Sequence, residues 1–390
     1  MKPRIKILHT ADWHLGLVSW KSQGGINRLE EQKECLATMV QRAREEKVDL
    51  ILHAGDLFHH SHHPAREVIE LVMETLLELS EIAPLIWVLG NHDWYALRAL
   101  KVIFPRNIHI LKDFHPLKLE EIPVTIFPLP YLNLARLLGR YAGDEIQDVG
   151  RERLSEIMER QWPAHWEVDR WQILLAHGTL EELAFYAQAN AVREVFLKRG
   201  ELPRGIHYGA FGHLHAYIPV EKSGFPIYYP SSLVLDNFGH QKNQAGFIIL
   251  ELIEGEKPQV EFYPFATSLL VTYRVTEENK EIDTLEQALE QEAAGRRVYF
   301  RLEIPEELIR PEWYSQLREL EGESWKVVQL EIERGRKEEI IERNEVELTH
   351  DAIPDLFRDF CQRNNFPQPV VNLFEQYYRQ VVGDIDDETG

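Results

Sequence analysis

Over its first two-thirds the chain alternates short apolar runs with stretches of helical character. Ile5 to His9 reads as a buried strand ending in Thr10-Ala11-Asp12. Leu50 to His53 is a second, stopping at Gly55-Asp56, and Leu85 to Leu89 a third, stopping at Gly90-Asn91-His92-Asp93. Between them Glu30 to Lys47 is helical, and another helix runs from Ala65 to Ser80 behind Pro64, a residue suited to a helix start. This βαβ rhythm predicts an α/β domain whose functional loops follow the C-terminal ends of its strands. Later strands are predicted at Val124–Pro128, Gln172–Ala176, Tyr208–Gly212, Ile227–Tyr229 and Gly246–Leu252.

The Ala65–Ser80 helix has more apolar surface than one sheet face requires. At ~100° per residue, Val68, Ile69, Leu71, Val72, Met73, Leu76, Leu77 and Leu79 spread around roughly two-thirds of its circumference. Glu67, Glu70, Glu74 and Glu78 fill the rest. The surplus predicts a homodimer surface, joined by Leu97, Leu100 and Phe104 of the next helix. The alternative is a helix buried on two sides within its own domain.

The pattern changes near residue 266. Leu269–Val275, Thr284–Ala294, Arg297–Ile304, Pro311–Glu321 and Trp325–Ile332 make a small β-α-β-α-β unit. The charged run Glu333–Glu339 is linker-like, and two short amphipathic helices follow at about Ile353–Arg363 and Val370–Val382, before an acidic tail. Ile353, Leu356, Phe357 and Phe360 form one stripe; Val370, Leu373, Phe374, Tyr377, Tyr378 and Val381 form the other. Helices this short are marginal alone, so these predict a docking segment. Three domains are expected: 1–265, 266–335 and 336–390. Arg296, Arg297 and Arg301 of the middle one are candidate phosphate contacts, with solvated surface charge as the plainer alternative.

Composition narrows the class. The chain has 390 residues, 44% of them hydrophobic, so it can build real cores. Cys35 and Cys361 are its only cysteines, too few for a disulfide scaffold or a cysteine-based zinc module. No run approaches the ~20 apolar residues of a spanning helix, and the opening segment is too short for a signal sequence, so a cytoplasmic protein is expected. The net charge is -21, of which residues 1–265 carry -7 and residues 266–390 carry -14. That argues against a free-standing nucleic-acid-binding module, which normally shows a basic footprint. It leaves room for a nucleic-acid enzyme with bound metals or a basic partner.

Five motifs fall at strand ends: Asp12-Trp13-His14, Gly55-Asp56-Leu57-Phe58-His59, Gly90-Asn91-His92-Asp93, His177-Gly178 and Gly212-His213-Leu214-His215. Residues two apart in extended backbone point the same way, so Asp12 with His14, and His213 with His215, are each expected to face one site. Asp, Asn and neutral His make a mixed oxygen–nitrogen donor set that suits Mn²⁺, Fe²⁺ or Zn²⁺ better than Ca²⁺. A lone histidine beside a strand is more often structural, and His62 and His63 read as plain loop residues. Five such motifs in order are hard to obtain by chance. No Walker-type loop and no Ser/His/Asp or Cys/His arrangement is evident, so any ATP dependence must come from another chain.

The series resembles the calcineurin-like metallophosphoesterases: two β-sheets packed as a sandwich and flanked by helices. Within them it is most similar to the SbcD-type nuclease subunits, on Leu8–Gly16 and Ala54–His59. The resemblance implies two divalent ions, most simply Mn²⁺. One would be held by Asp12, His14, Asp56 and His215, and the other by Asp56, Asn91, His177 and His213, with Asp56 bridging. Hydroxide activated between them would attack phosphorus while His92 assists the leaving oxygen; His59 would influence exonuclease action. The implied function is DNA exonuclease and endonuclease cleavage in double-strand-break repair, with residues 266–335 as a DNA-guiding cap. The implied partners are DNA ends and an SbcC-type coiled-coil ATPase at the C-terminal helices. A phosphoesterase of small phosphodiesters or nucleotides would use the same ligands but gives no reason for residues 266–390. The sequence departs from the family at Tyr229-Pro230-Ser231-Ser232, where Tyr-x-Gly-Ser is usual, and at Phe238-Gly239-His240, where Phe-Gly-Glu is usual.

Overall fold

The computed structural model describes residues 3–21, 24–96, 104–132, 146–186, 194–220, 224–308 and 313–333, with Phe357, Arg358, Cys361 and Phe374. The chain divides into two compact units, Met1–Arg334 and Gly335–Gly390. No described helix is long and apolar enough to cross a membrane.

The first unit begins with β1 (Ile5–Thr10), β2 (Val18–Ser19), β3 (Ile26–Asn27), α1 (Leu29–Glu46), β4 (Leu50–His53), α2 (Arg66–Ser80), β5 (Leu85–Val88), α3 (Asp93–Ala96) and β6 (Ile108–Leu111). It continues with β7 (Leu117–Lys118), β8 (Val124–Leu129), α4 (Ile146–Gln161), β9 (Trp171–His177), β10 (Tyr208–Gly212), β11 (Tyr217–Val220), β12 (Ile227–Pro230), β13 (Gly246–Leu252) and β14 (Gln259–Pro264). β2 and β3 pair with each other, and the other twelve strands form two six-stranded sheets, ordered β14-β13-β1-β4-β5-β6 and β11-β12-β10-β9-β8-β7. The strands at the centre of each sheet run parallel: β1, β4 and β5 in one, β8, β9 and β10 in the other. Parallel strands bring their C-terminal ends to one edge, and all five motifs lie there.

The sheets pack face to face as expected. Ile7, Leu50, Leu52, Ile86 and Val88 of one meet Ile126, Ile173, Leu175 and Tyr208 of the other in a shared core. Because side chains alternate along a strand, Leu8, Ile51 and Trp87 turn to the opposite face, against Leu36, Met39 and Val40 of α1 and Val68, Val72 and Leu76 of α2. Phe127, Leu174 and Phe211 likewise turn outward against Leu154, Met158 and Trp162. Burial on both faces is why the central strands read as unbroken apolar runs. On α2 the buried stripe is Val68, Val72, Leu76 and Leu79, while Leu77 is exposed and Ile69, Leu71 and Met73 are half-buried. Leu97 and Leu100 lie outside the described residues.

The remaining part of this unit is β15 (Leu269–Arg274), α5 (Ile282–Ala293), β16 (Val298–Pro305), α6 (Trp313–Arg318) and β17 (Trp325–Glu333). The three strands form a parallel sheet with its own core of Leu285, Leu289, Phe300, Leu302, Trp313 and Trp325. Its other face lies on the sandwich. Arg28 stacks over Tyr299 at 5.0 Å, and Thr272 Oγ1 donates to Gln241 Oε1 at 2.8 Å. The three candidate phosphate arginines are engaged internally. Arg297 pairs with Glu34 at 2.8 Å, Arg301 with Glu331 at 3.2 Å, and Arg296 donates to the carbonyls of Glu292 and Ala293 at the end of α5.

In the second unit Phe357, Arg358, Cys361 and Phe374 are helical, and the Phe357 and Phe374 rings stack with centroids 3.9 Å apart. One residue of each predicted apolar stripe therefore meets the other. The rest of both predicted helices, most of the linker and the acidic tail lie outside the described residues.

Candidate metal centre

Where β1, β4, β5, β9 and β10 end, Asp12, His14, Asp56, His59, Asn91, His92, His213 and His215 line one cleft of about 350 Å³. His177 is buried beside them, against Asp56, Asn91 and His213. His14 Nε2 faces His215 Nε2 at 3.0 Å, with Asp12 Oδ1 4.0 Å and Asp56 Oδ2 3.6 Å from His14. On the other side His177 Nε2 lies 3.5 Å from Asp56 Oδ2, 3.1 Å from Asn91 Oδ1 and 3.3 Å from His213 Nδ1. Asp12, His14 and His215 form one group able to hold a metal, and Asp56, His177 and His213 another. His14, Asp56 and His92 form a third that overlaps them.

The loops reach this geometry by a different route from strand alternation. Asp12, His14, Asp56 and His213 lie beyond their strands with φ of 52°, 43°, 60° and 96°. Left-handed backbone costs a non-glycine residue roughly 1–2 kcal/mol, and it persists where surrounding bonds over-determine it. Those bonds are present: Asp12 N donates to Gly55 O (2.9 Å), His14 N to Asp56 O (3.0 Å) and His213 N to Asp12 Oδ2 (2.9 Å). From α1, buried Gln32 donates to the carbonyls of Trp13 and His14 and accepts from Gly16 N.

Three of the four facing imidazoles have their far nitrogen engaged, which turns the near one to the centre. His177 Nδ1 donates to Ala54 O at 2.6 Å, His213 Nε2 to Glu194 Oε2 at 3.1 Å, and His215 Nδ1 lies 3.6 Å from Asp236 Oδ2. Burial opposes charge on His177, yet Asp56 and Asp12 outweigh it and push this imidazole up to about 10. His215 is driven up to about 9, against burial, by Asp236, Asp12 and Asp56. Both shifts come from the carboxylates around these rings, while burial and the neighbouring His215 hold the facing His14 imidazole well below its usual value. Buried carboxylates, an amide oxygen and facing imidazole nitrogens are a donor set that fits divalent transition metals.

His92 Nδ1 donates to His59 O at 2.7 Å, which leaves Nε2 for chemistry, and the His59 and His92 rings stack 6.1 Å apart. His62 and His63 are exposed. Sequence reasoning missed Asp93, Glu194, Asp236 and Gln32 as parts of the site. Asp93 is fully buried and accepts from Asp56 N, Leu57 N, Gly90 N and Trp87 Nε1, tying two loops together. Burial and the neighbouring Asp56 raise its carboxyl to about 6. Asp93 stood in the Gly90–Asp93 motif without a role of its own, and Gln32 left a signal as an amide within the apolar stripe of α1. At the family departure, Ser231 occupies the usual glycine position with φ of 80°.

Residues 5–217 match the calcineurin-like phosphoesterase family, and the chain belongs to it. Among its relatives, the SbcD subunit of the SbcCD nuclease from Staphylococcus epidermidis is 27% identical over 67% of this chain and 69% of its own length. The DNA double-strand break repair protein Mre11 of Sulfurisphaera tokodaii is 29% identical over 54% of this chain and 49% of its own. These relatives agree with the SbcD-type resemblance of the motifs. Among solved structures, a dimetal phosphatase from Danio rerio aligns at 13% identity over 66% of this chain and 99% of that one, with a TM-score of 0.43.

Proposed function

We propose that the chain is a Mn²⁺-dependent DNA exonuclease and endonuclease, the nuclease subunit of an SbcC–SbcD-type complex that processes DNA ends. The observation that carries this reading is the convergence of seven donor side chains from two sheets, six of them lining one cleft and His177 within 3.5 Å of Asp56, with three of the four imidazoles oriented by second partners. Asp12, His14, Asp56 and His215 would hold one ion, and Asp56, Asn91, His177 and His213 the other. Two bound ions would supply Lewis-acid charge and water activation at the phosphodiester. With its Nδ1–H committed to His59 O, the His92 ring has Nε2 as its remaining nitrogen: in the imidazolium form Nε2 would carry a second proton and hand it to the departing oxygen, leaving the neutral Nδ1–H ring. His59 supports that ring from beneath.

Residues 266–335 act as a cap that guides duplex ends, since β15 and β16 lean on the Phe238–Gln241 loop next to Asp236. Residues 336–390 dock a coiled-coil ATPase. The half-exposed stripe of Ile69, Met73 and Leu77 on α2 supports a homodimer, and light scattering showing a monomer at micromolar concentration would count against it. The central test incubates purified protein and Mn²⁺ with blunt duplex DNA beside a chromogenic phosphodiester. Cleavage of both, abolished by EDTA, is expected. Cleavage of the small ester alone would favour a phosphoesterase of small substrates.

A further inference from the structure

We infer that Glu194 is a positioning residue for one half of the metal centre: it fixes the tautomer and ring orientation of His213 so that Nδ1 faces Asp56 and His177. The inference rests on the two-metal reading above. Glu194 is buried at 3% exposure, and a carboxylate out of water is costly unless it is fully used. Both of its oxygens are used. Oε2 accepts from His213 Nε2 at 3.1 Å, and Oε1 accepts from Thr179 N at 2.9 Å. The second bond anchors the carboxylate on the turn that follows His177, so one side chain connects the two histidines of the same donor group.

The surroundings hold that turn firmly. Tyr229 OH accepts from Leu180 N at 3.2 Å and donates to Gly178 O at 3.0 Å. Leu197 N, on the Glu194 segment, donates to Thr179 O at 2.9 Å. Neutral imidazole has one N–H and one lone pair. With the N–H directed to Glu194, the lone pair is on Nδ1, the atom 3.3 Å from His177 Nε2. Without Glu194 the ring is free to take the other tautomer or rotate, and the donor group loses its third member.

The test uses the full-length protein and Mn²⁺ alone, read by calorimetry and by the ¹⁵N shifts of labelled His213. Wild type is expected to bind two ions, with a hydrogen on His213 Nε2 in the metal-free protein. Glu194→Ala should weaken one ion by ~10–100-fold, the usual effect of losing such a partner, and leave the other within twofold. Glu194→Gln keeps the shape and an acceptor oxygen, so it should recover most of the affinity and the metal-free melting temperature. Two ions bound by Glu194→Ala with wild-type affinity, or no hydrogen on His213 Nε2 in the wild type, would overturn the assignment of Glu194 while leaving the two-metal reading standing. A wild-type protein that binds no Mn²⁺ would overturn both.

Discussion

Gly90 is the position where one methyl group should do most damage. It follows β5 and lies against Asp56. A Cβ there would sit 2.1 Å from Asp56 Oδ1, 2.5 Å from Asp56 N and 2.7 Å from Asp56 Cγ. Asp56 has no room to yield: it is 1% exposed, its amide donates to Asp93, and its Oδ1 accepts from His92 N. Restoring an ordinary contact of at least 3.4 Å requires an opening of about 1.3 Å in a close-packed region. Such overpacking costs ~1–3 kcal/mol, and a misplacement of about 1 Å at the chemistry costs on the order of 10²-fold in rate. Gly178 supplies the control within the same centre. It adjoins His177, yet an added Cβ would find its nearest neighbours, Glu194 Oε1 and Leu197 Cδ1, at 3.8 and 3.9 Å. Urea unfolding and calorimetric Mn²⁺ titration of Gly90→Ala and Gly178→Ala should separate the two. Gly90→Ala should lose stability and Mn²⁺ affinity, while Gly178→Ala stays close to wild type in both. Equal impairment of the two variants would refute the reasoning, because the damage would then follow from loop rigidity and not from contact with Asp56.

Four further outcomes are expected. His92→Ala should retain both ions in the same titration but lose ~10²–10⁴-fold in cleavage rate; loss of an ion would make His92 a ligand, as its grouping with His14 and Asp56 allows. Ser231→Gly should raise stability in urea by ~1 kcal/mol, because glycine takes the left-handed φ of 80° without penalty; any loss would contradict the strain. Burial pushes the Cys35 thiol up to about 12, so in a Cys361→Ser background it should resist a disulfide reagent at pH 9 until the protein is unfolded. Deletion from residue 345 onward should leave Mn²⁺-dependent cleavage of short single strands intact and abolish co-purification with the ATPase; unimpaired co-purification would sink the docking proposal.

Periodicity alone located the main elements of the sandwich. Strands buried on both faces must be apolar throughout, so β1, β4, β5, β8, β9, β10 and β13 stand out as short apolar runs, and α1 and α2 as repeats between them. The same logic found the β-α-β-α-β unit after residue 266. It passed over α4, whose buried apolar side chains among the described residues are few: Leu154 and Met158 in a strongly charged helix. The motifs were visible because loops after parallel strands carry chemistry and their residue types are distinctive. What joined them was decided by distance in space. Left-handed φ at Asp12, His14, Asp56 and His213 has no local cause and depends on bonds from Gly55, Gln32 and Asp12 itself. Glu194 belongs to no motif, and Asp93 reveals its role only through the four donors that surround it. The partners of Arg297 and Arg301, Glu34 and Glu331, likewise appear only once the small sheet is laid against α1 and β17 against β16. Local sequence determines which residues favour a strand, a helix or a turn. Which nitrogen of His213 faces the centre depends on a carboxylate that the connection between β9 and β10 folds back against the turn after His177, and only the folded chain makes that contact.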